Sequence, residues 1–205
     1  MLDDDSERDE GSAVTTDGRL NRSIRTKAAI AAAFVALVDE GHLSPTSQDV
    51  AERAGVGHRT VFRHFQDMES LYGSIHDAIA QRAQPFLLGP QFKGSLDNRI
   101  RQLVKQRTRF HVRITQYRRA LISRYWSSPT LQGFVHKDQA MLRALTRDAL
   151  PESRDLAAED FELLELLLSF ECWARLRELQ ELSERRAREV IERGVRRLLL
   201  PEDKP

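Results

Sequence analysis

The placement of proline constrains this chain more than any other feature. Seven prolines stand at positions 45, 85, 90, 129, 151, 201 and 205 of 205 residues. They leave the windows 46–84, 91–128, 130–150 and 152–200 free of the residue that deletes a helical hydrogen bond and clashes with the preceding turn. Glycine is also sparse, at ten residues, so the two breakers together fall below the roughly 12% of an average chain. A turn-rich sheet protein needs more punctuation than this. With 40% apolar residues available for a core, the chain is expected to be all-α, with about nine helices.

The formal net charge of +1 hides a segregation. Residues 1–20 hold seven acids and two bases with little apolar content, a composition that reads as a disordered acidic tail. The rest is mildly basic, which permits a nucleic-acid partner. The opening MLDDDSERDE is acidic where a secretory signal is basic and then apolar. No apolar run nears the ~20 residues that span a bilayer. The lone Cys172 excludes an internal disulfide and a Cys-based zinc cage. A cytoplasmic location without membrane contact is expected.

Catalysis finds little support. The histidines at 42, 58, 64, 76, 111 and 136 show no helical metal-ligand spacing, and no P-loop, Gly-x-Ser-x-Gly or Gly-x-Gly-x-x-Gly occurs. No enzyme activity, cofactor or metal is expected.

Along the chain, Ser23–Glu40 reads as a first helix whose apolar stripe is Ile30, Ala33, Phe34, Leu37 and Val38. Arg22, Arg25 and Lys27 would lie at its N-terminal end, against the helix dipole, where a phosphate could offset them. Thr46 is a natural N-cap with Asp49 at N3, an acidic capping box. It opens a short helix, Ser47–Ala54, stopped by Gly55. After the turn at Val56–Gly57 a third helix runs from about His58 to Phe65. With Val61 and Phe65 inward, His58, Arg59, Phe62 and Arg63 face outward. That face suits a recognition helix in a major groove; a merely solvated charged face is the alternative.

Residues 26–71 resemble the DNA-binding domain of the tetracycline-repressor (TetR) family. The resemblance is carried by Ala32-Ala33…Gly41, Thr46…Asp49-Val50-Ala51-Glu52-Arg53-Ala54-Gly55-Val56, Thr60-Val61-Phe62-Arg63-His64-Phe65 and Glu69-Ser70-Leu71, without an insertion. It implies a homodimeric transcriptional regulator, a repressor, with one such helix per subunit on palindromic double-stranded operator DNA. It also implies a C-terminal helical domain for a small-molecule effector. The expected organisation is a tail (1–20), a three-helix DNA-binding domain (21–70) and an effector-binding and dimerisation domain (71–205). DNA would be held by Arg22, Arg25, Thr46 and Gln48 and read by Gly57, His58, Arg59, Thr60, Phe62, Arg63 and His64. Three positions depart from the family pattern: Phe62 replaces the usual Tyr, Met68 a common Lys, and Ser47 an apolar residue.

In the larger half, helices are expected over Leu71–Arg82, from Asp97 onward, from Ser128-Pro129 to about Leu150, over Phe161–Leu179 and over Ser183–Leu200, with Pro85–Gly94 a loop. The 161–179 helix is apolar around most of its circumference, so it is either a central core helix or partly covered by a second subunit. Glu171-Cys172-Trp173…Leu176…Leu182-Ser183 resembles the family's closing helix pair, which implies a four-helix dimer interface, here at Leu164, Leu168, Cys172, Val190, Ile191 and Gly194. Residues 91–125 are basic and 151–181 acidic, as expected of neighbouring helices whose charges pair. Within the apolar arc of the 97–125 helix fall Arg107, His111 and Arg118. Buried arginine is costly unless paired. Arg107 and His111 would line an effector cavity with Phe110, Trp126 and Trp173, for an anionic or aromatic ligand; otherwise Arg107 pairs internally with Glu165 or Glu171. A helical adaptor that binds another protein through residues 161–200 is the competing function.

Overall fold

The computed structural model describes residues 10–64, 68–87 and 92–200. Among these, every regular element is helical: α1 (Glu10–Asp39), α2 (Ser47–Ala54), α3 (His58–His64), α4 (Met68–Leu87), α5 (Leu96–Tyr125), α6 (Pro129–Ala149), α7 (Ala158–Leu167), α8 (Phe170–Ala174) and α9 (Glu184–Leu199). A 3-10 turn at Pro151–Arg154 precedes α7, and a π-helical turn at Arg175–Leu179 follows α8. No helix among the described residues is long and apolar enough to cross a membrane.

Three elements differ from the sequence expectation. Helix α1 begins at Glu10, not Ser23. It takes in residues 10–20 of the segment read as disordered, while residues 1–9 of that segment lie outside the described residues. Residues 10–22 contain no proline, so extending a helix already anchored downstream adds one hydrogen bond for each residue fixed. Second, Pro85 lies inside α4 and not in a loop. It stands in the last described turn, so the one bond it deletes, to the Gln81 carbonyl, comes after most of the ladder has formed. Third, the helix expected over Phe161–Leu179 is broken. Ser169 is extended (φ −75°, ψ 160°), and its hydroxyl accepts the Cys172 N–H at 3.1 Å and donates to the Leu166 carbonyl at 2.7 Å. A serine making both bonds starts a new helix where the old one stops.

The chain forms two compact units. The first lies within Met1–Ile79 and Arg119–Leu131, the second within Ala80–Arg118 and Gln132–Pro205. In the first, α1 packs on α2 and α3 through buried Ile30, Phe34, Val38, Val50, Ala51 and Val61, with Leu71 and Ile75 of α4 also enclosed. Ser128 caps α6 by accepting the Leu131 N–H at 3.1 Å, and it donates to Glu69 Oε2 at 2.7 Å. The Thr130 N–H reaches the same carboxylate oxygen at 3.1 Å.

The second unit has its own core. Ile100, Leu103 and Val104 of α5 meet Phe161, Leu164, Leu168, Trp173 and Leu176, and Ala187, Ile191 and Val195 of α9 close it. Each fully buried aliphatic side chain contributes about 1.5–3 kcal/mol. The basic and acidic segments do pair: Arg99 with Glu152 and Arg118 with Glu171. Arg99 also donates to the Ala149 carbonyl at 3.1 Å, satisfying the end of α6.

Candidate nucleic-acid interface

Local chemistry sets the geometry of α2 and α3. The Thr46 hydroxyl accepts the Asp49 N–H at 3.2 Å, and Asp49 Oδ2 accepts the Thr46 N–H at 2.8 Å, completing the capping box. Bonds from the Thr46 hydroxyl and backbone hold the Asp49 carboxyl below the usual carboxylate range. At the other end Gly55 takes φ 65°, ψ 31°, and its N–H returns to the Ala51 and Glu52 carbonyls. Only a residue without Cβ enters this left-handed region without strain. Arg53 forks onto both oxygens of Glu40, tying α2 to the end of α1. The turn into α3 closes with the Thr60 N–H on the Gly57 carbonyl at 2.7 Å.

Because Val61 is buried, the opposite face of α3 is presented to solvent. Gly57, His58, Arg59, Phe62 and Arg63 are exposed, Phe62 to 57%. Arg59 and Arg63 have no hydrogen-bond or ion-pair partner among the described residues. Thr46 and Gln48 at the start of α2 are exposed as well. Of the remaining expected readers, Thr60 is half-buried, and so is His64, whose Nδ1 lies 3.4 Å from the Ser23 hydroxyl of α1. Burial, then the charges of Arg63 and Lys27, pull the His64 pKa down. His64 therefore faces α1.

Arg22 and Arg25 are exposed on α1. They sit well inside the helix, because α1 starts at Glu10. The clash with the helix dipole that suggested a phosphate there does not arise. One pairing was missed in the sequence. The Ser47 hydroxyl lies 2.9 Å from His58 Nε2, and the His58 ring meets Phe62 edge-on at 4.9 Å. The serine in a family-apolar position thus bridges α2 to α3, and the polar departure was its signal.

Of the five residues expected to line an effector cavity, four lie in the second unit. Trp126 belongs to the first unit, is 82% exposed and has its ring edge-on to Tyr125 at 5.0 Å. Trp173 is buried in the second unit's core, and Phe110 is half-buried. Arg107 and His111 are neighbours one turn apart on α5, each only 2% exposed. Arg107 Nη2 donates to Thr146 Oγ1 at 2.9 Å and to the Leu142 carbonyl. Burial lowers the Arg107 pKa to about 10, opposed by the field of Glu165. The expected contact ion pairs do not form: Glu171 is taken by Arg118, and Glu165 Oε2 accepts from Gln139 at 3.3 Å. His111 Nε2 lies 3.0 Å from the Leu168 carbonyl. A carbonyl only accepts, which assigns the proton to Nε2 and leaves Nδ1 a bare acceptor. Burial pushes the His111 pKa down to about 3. A separate groove of about 610 Å³ runs between α5 and α9, lined by Arg101, Lys105, Arg185 and Arg188 among others, and touches none of these five.

Of the expected interface residues, Leu164, Leu168 and Ile191 belong to the second unit's own core. Cys172 and Gly194 are half-buried, and a Cβ on Gly194 would come within 2.9 Å of Leu167 Cδ1. Val190 is exposed, as are Leu163 and Leu166, two apolar residues of α7. Among the described residues no group of three or more His, Cys, Asp or Glu could hold a metal ion.

Comparison with known proteins agrees with this geometry. Residues 29–75 match the model of the family described as bacterial regulatory proteins, tetR family. The crystal structure of a TetR transcriptional regulator from Rhodococcus sp. RHA1 superposes with a TM-score of 0.57 at 21% identity, covering 88% of this chain and 98% of that one. No curated protein matches the chain. The capped α2, the left-handed turn and the exposed α3 thus lie within the segment that matches the tetR-family model, in a chain that shares its fold with a solved TetR transcriptional regulator.

Proposed function

We propose that the protein is a homodimeric repressor that holds palindromic operator DNA with α2 and reads it with α3, under the control of a small-molecule effector bound in the second unit. The observation that carries this reading is the pair Arg59 and Arg63, exposed beside Phe62 on the helix that follows the doubly capped α2. Arginine makes bidentate contacts to guanine edges or single contacts to phosphate. In a dimer, two such helices read half-sites about 34–36 Å apart, and an effector acts by favouring a state with a different separation. Exposed Leu163, Leu166 and Val190 on α7 and α9 support a self-complementary apolar face. A protein-interaction adaptor would use that same face but leaves Arg59 and Arg63 without a task.

Fluorescence anisotropy with a random-sequence duplex tests the DNA half of the proposal. Binding is expected to weaken linearly in log salt, with a slope of about −0.9 for each phosphate neutralised. No retention of duplex at low salt would favour the adaptor. Native mass spectrometry tests the dimer: Leu166→Glu is expected to convert a dimer to monomer, and a monomeric unsubstituted chain would contradict it.

A further inference from the structure

The core of the second unit contains a polar layer with unmet hydrogen-bonding capacity. Arg107 and His111 enter it from α5, Glu165 from α7, and Thr146 and Gln139 from α6. Arg107 Nε and Nη1, His111 Nδ1 and Glu165 Oε1 are buried without a hydrogen-bond partner among the described residues. A buried polar group left unmet is destabilising, and native proteins retain few of them. Three such residues linked by their mutual fields, Glu165 acting on Arg107 and Arg107 on His111, form a common set.

The inventory of unmet atoms specifies what would complete it. Arg107 offers N–H donors, whereas Glu165 Oε1 and His111 Nδ1 are acceptors. The charges are balanced, since Arg107 opposes Glu165 and His111 is neutral. The charged groups around them are paired: Arg118 with Glu171 and Arg143 with Glu162. A carboxylate placed here would bring an unbalanced negative charge into the core, and an amidinium or amine an unbalanced positive one. On the proposal above that the second unit binds a small-molecule effector, we infer that this layer receives a neutral group with a hydrogen-bond donor beside an acceptor, a carboxamide, lactam or urea. Arg107 donates to its acceptor, and Glu165 or His111 accepts from its donor. The anionic effector expected from Arg107 alone is disfavoured by Glu165. The break between α7 and α8 falls at the Leu168 carbonyl that His111 holds.

Benzamide, benzoate and benzamidinium have nearly the same shape and differ in the relevant property. The first is neutral with donor and acceptor, the second anionic with acceptors only, the third cationic with donors only. Thermal-shift titration of the full chain is expected to give a saturable rise in Tm with benzamide, at an apparent Kd about tenfold or more below the other two. In Glu165→Gln, where the Arg107 charge is no longer balanced, the preference is expected to pass to benzoate. A benzoate preference in the unsubstituted protein would overturn the neutral class while leaving the ligand-binding reading intact. No saturable shift with any probe would overturn both and assign the layer to buried water. Should Glu165→Gln fail to fold, the ranking of the three probes on the unsubstituted chain decides.

Discussion

Arg63 on α3 and Arg107 on α5 are the same side chain in opposite surroundings. Arg63 stands in solvent without a partner among the described residues, at little cost to folding, and its charge is available to a phosphate or a base edge. Arg107 is almost wholly enclosed, its guanidinium partly met by Leu142 and Thr146 and balanced through space by Glu165. The first arrangement separates function from stability; the second couples them. A buried charge is retained only where its surroundings compensate it, so the two units should respond differently to the same kind of substitution.

The largest expected effect is on stability in the second unit. Arg107→Met leaves Glu165 as an uncompensated buried carboxylate and is expected to destabilise by about 3–5 kcal/mol in urea unfolding. Arg107→Met combined with Glu165→Gln should regain much of that loss, whereas Arg59→Met should stay within about 0.5 kcal/mol. A neutral Arg107→Met would remove the contrast between the units.

Next in size is a pH dependence. The folded His111 pKa of about 3 lies below its ordinary value of 6.5, so the unfolded chain binds the proton first. Stability is therefore intact above pH 6.5 and falls with acidification towards pH 3, at about 1.4 kcal/mol per pH unit. From pH 7 to pH 5 the loss attributable to His111 is about 2 kcal/mol. His64 contributes in the same sense, so the readout is the difference between the unsubstituted chain and His111→Gln. Asp97 and Glu152, held low by arginine partners, lose their contribution at more acidic pH, below their ordinary carboxylate values.

Smaller effects sharpen the first unit. Arg63→Ala is expected to weaken operator binding about tenfold, roughly 1.4 kcal/mol, with the unfolding midpoint unchanged. If Arg63 touches phosphate and not a base, the loss is the same on every sequence and the salt slope falls by about one. Thr46→Ala removes the cap of α2 and should cost about 1 kcal/mol of stability, with Thr46→Ser largely restoring it.

The sequence made legible what local chemistry decides. Thr46 with Asp49, Gly55, Ser128 with Pro129 and Ser183 each mark a helix boundary that the structure contains, because a cap is formed by residues a few positions apart. The outward face of α3 followed from Val61 for the same reason. The start of α1 was not legible, since the acidic composition of residues 1–20 reads as a disordered tail. The break at Ser169 was masked by the apolar run around it, where periodicity outweighs one hydroxyl. Contacts between elements were harder still. Ser47 with His58, and His64 turned towards Ser23, depend on how α1, α2 and α3 meet. The burial of Arg107 was visible in the apolar arc of α5, but Glu165 changes what that burial means, and it lies 58 positions away in the chain.

Selection from a pool of random duplexes tests the central claim most directly. The unsubstituted protein is expected to enrich a palindrome whose half-sites are centred about one helical turn apart, and Arg59→Ala/Arg63→Ala, folded to the same unfolding midpoint, is expected to enrich none. Recovery of the same palindrome by both proteins, or of no palindrome by either, would contradict the assignment of DNA reading to the exposed face of α3.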